Sequence, residues 1–382
     1  MADLLLRVSY PDGRVIGGGS QFSPVFEILR PGAFFARLGR DRRIGFGEAY
    51  VAGDWRPGAG TDLADLLTVF AEQLATLVPP SLQRLRRLVD RGLPAAHDNT
   101  PTGARTNIAA HYDLSNDLFA SFLDPTMTYS AAEFASDAVD TDVDLEGAQL
   151  RKIDGMLDLA RVGPGTRLLE IGSGWGALAI RAGQRGAHVT SITLSAEQQQ
   201  LATERVAAAG LTGRVEIRVQ DYREVQGSYD AIVSVEMIEA VGEAYWPAYF
   251  QALDRLLAPG GAVALQAITM DHARMLATRR SFGWIQKHIF PGGLIPSLRA
   301  IEDATTRHTG LRVVRRRELG AHYARTLRLW REQFLLAAPG LRRHGFDETF
   351  RRVWEFYLAY SEAGFRSGYL GLSQLQLTRS AR

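Results

Sequence analysis

Between residues 166 and 268 short branched-apolar runs alternate with helical patterns, and this alternation constrains the fold more than any other feature of the chain. The runs fall at 166–171, 188–194, 214–220, 229–235 and 261–268, with stretches such as AEQQQLATERVAAAG between them. Strands that alternate with helices build a parallel, doubly wound sheet covered on both faces. LRVVRRREL (311–319) and GYLGLSQLQLTR (368–379) are two later strand candidates. The first hundred residues have another texture. LLLRVSYPDGRVIGG reads as a hairpin around Pro11, Asp12 and Gly13, GFGEAYVAGDW (45–55) adds aromatic and glycine punctuation, and 62–78 has helical spacing. The expectation is a smaller α+β domain over 1–92, a linker rich in Pro, Gly, Asn and Thr over 93–106, and a main α/β domain over 107–382. A chain of 382 residues with 46% hydrophobic composition has room for both.

The balance of charge and the residue types present narrow the function. A net charge of +2 gives no global basic surface, so no nucleic-acid partner is expected. The absence of cysteine removes disulfides, thiolate metal sites and thiol nucleophiles, and no metal is expected. The N-terminus MADLLLRVSYPDG lacks the basic flank and long apolar core of a signal peptide, and no apolar run reaches the ~18 residues of a membrane span. The expected location is cytoplasmic.

The first of the strands runs into a glycine loop, LLEIGSGWGALAI (168–180). Gly172, Gly174 and Ala177 satisfy the dinucleotide pattern G-x-G-x-x-G/A. That fingerprint also wants an acid about 20 residues on, for the ribose hydroxyls, and the next strand instead ends SITLS, with Thr193 and Ser195. The same loop reads as E-x-G-x-G from Glu170, the first motif of class I S-adenosylmethionine methyltransferases. Glycine lets the backbone approach a ligand where a Cβ would clash, and the Glu170 carboxylate is placed to hold the turn or a cationic amino group.

Four further blocks stand around the loop: HYDLSNDLFASFLDPTMTYSAAEF (111–134), ITLSAEQQ (192–199), VSVEMIEAVGEAYWPAYF (233–250) and WIQKHIFPGG (284–293). Together with it they resemble the cyclopropane-fatty-acid synthase family of S-adenosylmethionine-dependent methyltransferases, nearest its 10-methylene and 10-methyl (tuberculostearate-type) branch, in order and spacing from about Asn107 to the C-terminus. The resemblance implies a Rossmann-like, seven-stranded doubly wound sheet with a helical lid over 107–160. It implies that Tyr129 and Ser130 close over the cofactor, that Glu170, Gly172, Gly174 and Gln198 meet its methionine and ribose parts, that Thr193 and Leu194 lie beside the ribose, and that Asp221, Tyr222 and Arg223 surround the adenine. The N-terminal segment with IGFGEAYVAGDW resembles the accessory domain of longer members, which act on acyl chains of intact phospholipids, so an unsaturated acyl phospholipid at the inner membrane face is the implied substrate.

An isolated cis double bond is a poor nucleophile, so its methylation needs a strongly electrophilic donor held in line in a dry site. Attack leaves a carbocation, which aromatic faces can shelter; Tyr129, Trp284, Tyr323 and Phe365 are the candidates, each with ordinary core packing as the plain alternative. Proton loss from the new methyl group closes a cyclopropane, whereas a hydride shift first leads to a 10-methylene chain, which a separate flavin or nicotinamide reductase saturates. Either route needs a base. In the resembling family the base is a bicarbonate, held by residues that match Ala131, Glu239, Gln266, Ile268 and Tyr323 here. Ala131 replaces a Cys and Gln266 a His, so two readings stand: bicarbonate still binds through Glu239, Gln266, Tyr323 and backbone donors, or a protein carboxylate, Glu239 or Glu146, replaces it. Gln266 favours methylene formation.

PPSLQRLRRLVDRGLP (79–94) sets Leu82, Leu85 and Val89 on one helical face and Arg84, Arg87 and Arg91 elsewhere, a pattern suited to anionic headgroups. FGWIQKHIFPGGLIPS (282–297) is apolar for a segment broken by Pro and Gly, and Trp284, Ile285, Phe290 and Phe365 are the expected acyl-channel residues. A homodimer is compatible with the sequence. Rival readings are a nicotinamide oxidoreductase, disfavoured by the missing acid, and an inactive lipid-binding relative, disfavoured by retention of Tyr129, Glu239 and Tyr323.

Overall fold

The computed structural model describes residues 5–18, 20, 23–77, 99–100, 103–104, 115–135 and 144–379. The basic segment 79–94, most of the expected linker and the lead-in from Asn107 lie outside the described residues. The chain divides into two compact units, one of residues 1–94, 277–291 and 324–370 and the other of residues 95–276, 292–323 and 371–382.

The second unit carries the doubly wound sheet. Its strands are β5 (Arg167–Ile171), β6 (His188–Thr193), β7 (Val215–Val219), β8 (Tyr229–Val235), β9 (Leu257–Thr269), β10 (Leu311–Glu318) and β11 (Gly371–Arg379). They lie in the order β10-β11-β9-β8-β5-β6-β7, with β11 antiparallel to both neighbours and the pairs from β9 to β7 parallel. The expected seven strands are thus present, with β9 starting earlier than its apolar run because Leu257 already pairs with Tyr229.

Alternation decides which face each residue buries. Leu169, Ile171, Ile232, Val263 and Leu265 join a core with Tyr249, Phe250 and Leu253 of the helix Trp246–Leu256. Their strand neighbours Leu168, Ala231, Val233 and Ala264 face the opposite core, with Ile153, Met156 and Leu157 of the helix Leu145–Leu159. Strands buried on both faces must be near-continuously apolar, which is why RLLEI and YDAIVSV read as they do. Each buried large side chain contributes roughly 1.5–3 kcal/mol.

The strand order reverses at β5, whose neighbours are β6 and β8. Open α/β sheets bind ligands at the carboxyl ends of their strands beside such a switch point, and this is where the glycine loop leaves β5.

The first unit holds a four-stranded sheet, β2 (Val15–Gly17), β1 (Arg7–Ser9), β3 (Val25–Ile28) and β4 (Trp55–Pro57) in that order. The expected hairpin is β1–β2. Helices Leu63–Leu77, Gly45–Ala52 and Glu348–Arg366 pack with it. Its core is aromatic: Trp55 is fully buried, with Phe26 and Phe46 ring centroids 4.9 and 4.7 Å away. The glycines of GFGEAYVAGDW have a packing reason, since a Cβ on Gly47 would meet Trp284 Cδ1 at 2.5 Å and Phe356 Cε1 at 2.9 Å. These contacts explain why the division departs from a cut at 93–106. Segments 277–291 and 324–370 supply side chains that complete this core, so they belong with it rather than with the sheet that precedes them in sequence.

Among the described residues no helix is long and apolar enough to cross a membrane.

Candidate active site

A cavity of about 1170 Å³, including its open mouth, lies at the carboxyl ends of β5 to β8, large enough for a small-molecule ligand. Its lining brings together Tyr129, Ser130, Glu170, Gly172, Gly174, Thr193, Leu194, Gln198, Asp221, Tyr222 and Arg223, every residue the sequence pointed to for the cofactor.

Local geometry explains each contribution. Gly172 has φ +97°, and an added Cβ would meet Met237 Cγ at 2.7 Å, so the turn after β5 admits no side chain. Its N–H and that of Ser173 both donate to Ile192 O, at 2.9 and 3.0 Å, which fixes the loop against β6. Glu170 accepts a 2.5 Å hydrogen bond from Ser191 Oγ, and burial pushes its carboxyl up to about 8. On β6, Thr193 Oγ1 donates to Gln198 Oε1 at 2.8 Å. That bond takes the acceptor end of the Gln198 amide and leaves its NH₂ for a ligand hydroxyl or carboxylate, at the place where a dinucleotide site would need an acid. Asp221 accepts from Arg223 N–H at 2.9 Å and from its guanidinium at 2.7 and 2.8 Å, holding the loop after β7. On the lid side, Gln149 Nε2 donates to Ser130 O at 2.8 Å and Lys152 Nζ to Ser130 Oγ at 2.6 Å. A polar cradle with glycine at its closest approach fits the amino, carboxylate and ribose groups of S-adenosylmethionine.

The second half of the site centres on a residue that the sequence reading passed over. Glu236 follows β8 immediately, borders the same cavity, and has φ +53°, a left-handed backbone rare outside glycine. Its Oε1 accepts from Ala131 N at 3.0 Å and from Gln266 Nε2 at 2.8 Å, and its Oε2 from Tyr323 Oη at 2.6 Å. Glu239 lies on the next turn; its Oε1 accepts from Ile268 N at 2.5 Å, while its Oε2 is buried without a partner. Thus four of the five residues expected around bicarbonate, Ala131, Gln266, Ile268 and Tyr323, donate to a pair of protein carboxylates, of which the fifth, Glu239, is one member.

Burial raises both carboxyls, and the charge of Glu236 adds to the upward push on Glu239, which reaches about 8. Hydrogen bonds from Tyr323, Ala131 and Gln266, and the cation of Lys152, oppose the rise at Glu236. Three donors on Glu236 against one on Glu239 favour the ionised form of Glu236 over that of Glu239. Lys152 is fully enclosed, pushed down to about 8 by burial against the pull of Glu236, Asp124 and Glu170.

Other expectations meet different surroundings. Glu146 is exposed in the first turn of the Leu145–Leu159 helix, beside its Asp144 cap, and does not line the cavity, so the geometry gives it no base role. Tyr129 lines the cavity with its ring 5.1 Å from Phe119. Trp284, Phe290 and Phe365 belong to the first unit, where Trp284 packs 4.8 Å from Phe356 and Phe290 5.8 Å from Tyr357; Ile285 is half-buried there. None of the four lines the cavity described above. The signal that finds Glu236 is its position: an ionisable residue at the carboxyl end of a buried strand beside the switch point.

Comparison with known proteins agrees with this geometry. Residues 99–375 match the family described as mycolic acid cyclopropane synthetase. The tuberculostearic acid methyltransferase UfaA1 of Mycobacterium tuberculosis is 56% identical over 98% of this chain and 88% of its own length. The cyclopropane-fatty-acyl-phospholipid synthase of Escherichia coli K12 is 34% identical over 91% of this chain and 86% of its own. Among solved structures, the cyclopropane synthase MmaA2 from Mycobacterium tuberculosis matches with a TM-score of 0.65 at 32% identity, over 72% of this chain and 97% of that one. The mycolic acid cyclopropane synthase CmaA1 complexed with SAH and CTAB matches with a TM-score of 0.63 at 33% identity, over the same 72% and 97%. The chain belongs to the mycolic acid cyclopropane synthetase family and is an S-adenosylmethionine-dependent methyltransferase.

Proposed function

We propose that the protein methylates the cis double bond of an unsaturated acyl chain carried by a phospholipid, and that Glu236 takes the proton whose loss leaves a 10-methylene group. One observation carries the reading: the Glu236 carboxylate borders the cofactor cavity and accepts hydrogen bonds from Ala131 N, Gln266 and Tyr323, which favour its ionised form. The 56% identity to a tuberculostearic acid methyltransferase, against 34% to a cyclopropane synthase, supports the methylene product over the ring.

S-adenosylmethionine, when bound, supplies an electrophilic methyl group. Glu170, Gln198 and Thr193 orient the polar end of that cofactor, and the lid residues Tyr129 and Ser130 keep water from the double bond. Methyl transfer leaves the lipid as a carbocation on the neighbouring carbon. A hydride shift moves the cation to the methylated carbon, and Glu236 then accepts a proton from the new methyl group, whose C–H electron pair becomes the double bond. A separate flavin- or nicotinamide-dependent reductase would convert this product to the 10-methyl acid.

The donor pattern favours a protein carboxylate over bicarbonate as the base. The donors expected for it are already committed, Ala131, Gln266 and Tyr323 to Glu236 and Ile268 to Glu239.

The test uses vesicles of oleoyl phosphatidylglycerol and methyl-labelled S-adenosylmethionine, with the fatty esters separated by chromatography and the double bond derivatised before mass spectrometry. A labelled methylene ester is expected. A cyclopropane ester, of equal mass but inert to derivatisation, would overturn the product, and no labelled ester would overturn the substrate.

A further inference from the structure

A line of polar side chains crosses four adjacent strands and ends at Glu236. Arg317 on β10 is in register with Gln374 on β11, Gln374 with Gln266 on β9, and Gln266 with Val235 on β8, the residue before Glu236. Arg317 Nη1 donates to Gln374 Oε1 at 3.4 Å, Gln374 Nε2 to Gln266 Oε1 at 2.9 Å, and Gln266 Nε2 to Glu236 Oε1 at 2.8 Å. Both glutamines are fully buried. At its outer end Arg317 also pairs with Glu133.

The direction of this chain follows from its ends. An arginine only donates and a carboxylate only accepts. Gln374 must therefore turn its oxygen to Arg317 and its NH₂ to Gln266, and Gln266 in turn must offer its NH₂ to Glu236. Reversing either amide sets two like groups facing each other in a dry interior, where an unmade hydrogen bond is costly. A reversed Gln266 would present its oxygen to Glu236, and that contact is satisfied only when Glu236 carries a proton.

We propose that Gln374 is a positioning residue for proton abstraction: through Arg317 on one side and Gln266 on the other, it locks the Gln266 amide in the orientation that keeps Glu236 the unprotonated acceptor. The inference rests on Glu236 being the base. Gln374 itself touches neither cavity nor cofactor residues; it acts two strands away, through the sheet register. The other groups facing Glu236 are Tyr323, the Ala131 N–H, Glu239 and Lys152. The Gln374 side chain is bonded to none of them, its partners being Arg317 and Gln266.

The experiment measures the pH dependence of kcat on oleoyl phosphatidylglycerol vesicles for the wild type, Gln374→Glu, Gln266→Leu and the double variant, with Glu236→Gln in parallel. A glutamate at 374 keeps Arg317 but offers Gln266 only an acceptor, so the amide reverses. The acid limb of the profile is expected to move upward by about one pH unit, the size of a charge-assisted hydrogen bond to the base. In the Gln266→Leu background the same change is expected to move the limb no further, because no amide remains to transmit it. An unmoved limb in Gln374→Glu, or an equal shift with and without Gln266, which marks through-space charge, would overturn the lock while an inactive Glu236→Gln keeps the base reading intact. An active Glu236→Gln would overturn both. S-adenosylhomocysteine affinity by calorimetry reports folding. Should Gln374→Glu not fold, the same cycle with Arg317→Met decides, with Arg317→Lys expected to restore the wild-type profile and an unmoved Arg317→Met overturning the lock.

Discussion

The cofactor-facing half of the site and its proton-accepting half are built by opposite means. The first is local: Glu170, Gly172 and Gly174 leave one strand within five residues, and Thr193 and Gln198 leave the next within six. Its chemistry is therefore written as short motifs. The second half gathers Ala131, Glu236, Gln266, Tyr323 and Gln374 from five separate stretches, and it exists only because β8, β9 and β11 lie side by side in one register. A motif search sees the donor of the methyl group; the carboxylate proposed to take the proton comes into view only with the sheet.

The sharpest way to break this comparison is to remove the base and leave the cradle. Glu236→Gln is expected to lower kcat by about 10²- to 10⁴-fold, the span for a lost general base, with S-adenosylhomocysteine affinity by calorimetry nearly unchanged. Equal losses in both would merge the two halves into one. Glu236→Gly adds a finer arm: its φ of +53° suits glycine, the three donors are left facing a vacated space, and added bicarbonate is expected to restore part of the rate.

The converse change is Gly172→Ala. A methyl group at φ +97° and 2.7 Å from Met237 Cγ costs about 1–2 kcal/mol of backbone strain before Met237 shifts, so cofactor affinity is expected to fall roughly tenfold. The acid limb of the kcat profile is expected to stay in place, since Glu236 keeps its donors; a moved limb would contradict the separation.

Tyr323→Phe gives a smaller, directional effect. Tyr323 donates to the ionised form of Glu236 and so holds its pKa down against burial. Without that hydroxyl the folded-state pKa rises, the base is protonated over a wider range, and the acid limb is expected to move up by about one to two pH units. A limb that moves downward would reverse the assignment of base and acid within the Glu236–Glu239 pair.

The same contrast explains what was legible in the sequence. Apolar runs gave the central strands β5, β8 and β9 of the second unit to within a few residues, because strands buried on both faces must be near-continuously apolar. Gln198 and Thr193 were readable only through the family resemblance of ITLSAEQQ, since by spacing alone Gln198 reads as a solvated helix residue. Glu236 was hidden because Glu239, three residues on in the same block, matches the position the family resemblance points to. The two face one another across one turn, and only the donor count separates acid from base. Trp284 and Phe290 are a different case: an aromatic run broken by Pro and Gly looks the same in sequence whether or not it borders a lipid, and the structure adds that these rings pack against Gly47, Phe356 and Tyr357. Glu146 had the right chemistry and the right lid segment, but it sits on the exposed side of its helix.

The central claim is that the protein carries its own carboxylate where a bound anion would otherwise serve. The most direct measurement is the wild-type rate of methyl transfer in carbon-dioxide-free buffer as bicarbonate is added back. A rate that is full without bicarbonate and flat on its addition is the result expected from Glu236 filling the donor ring; stimulation of several-fold would contradict it.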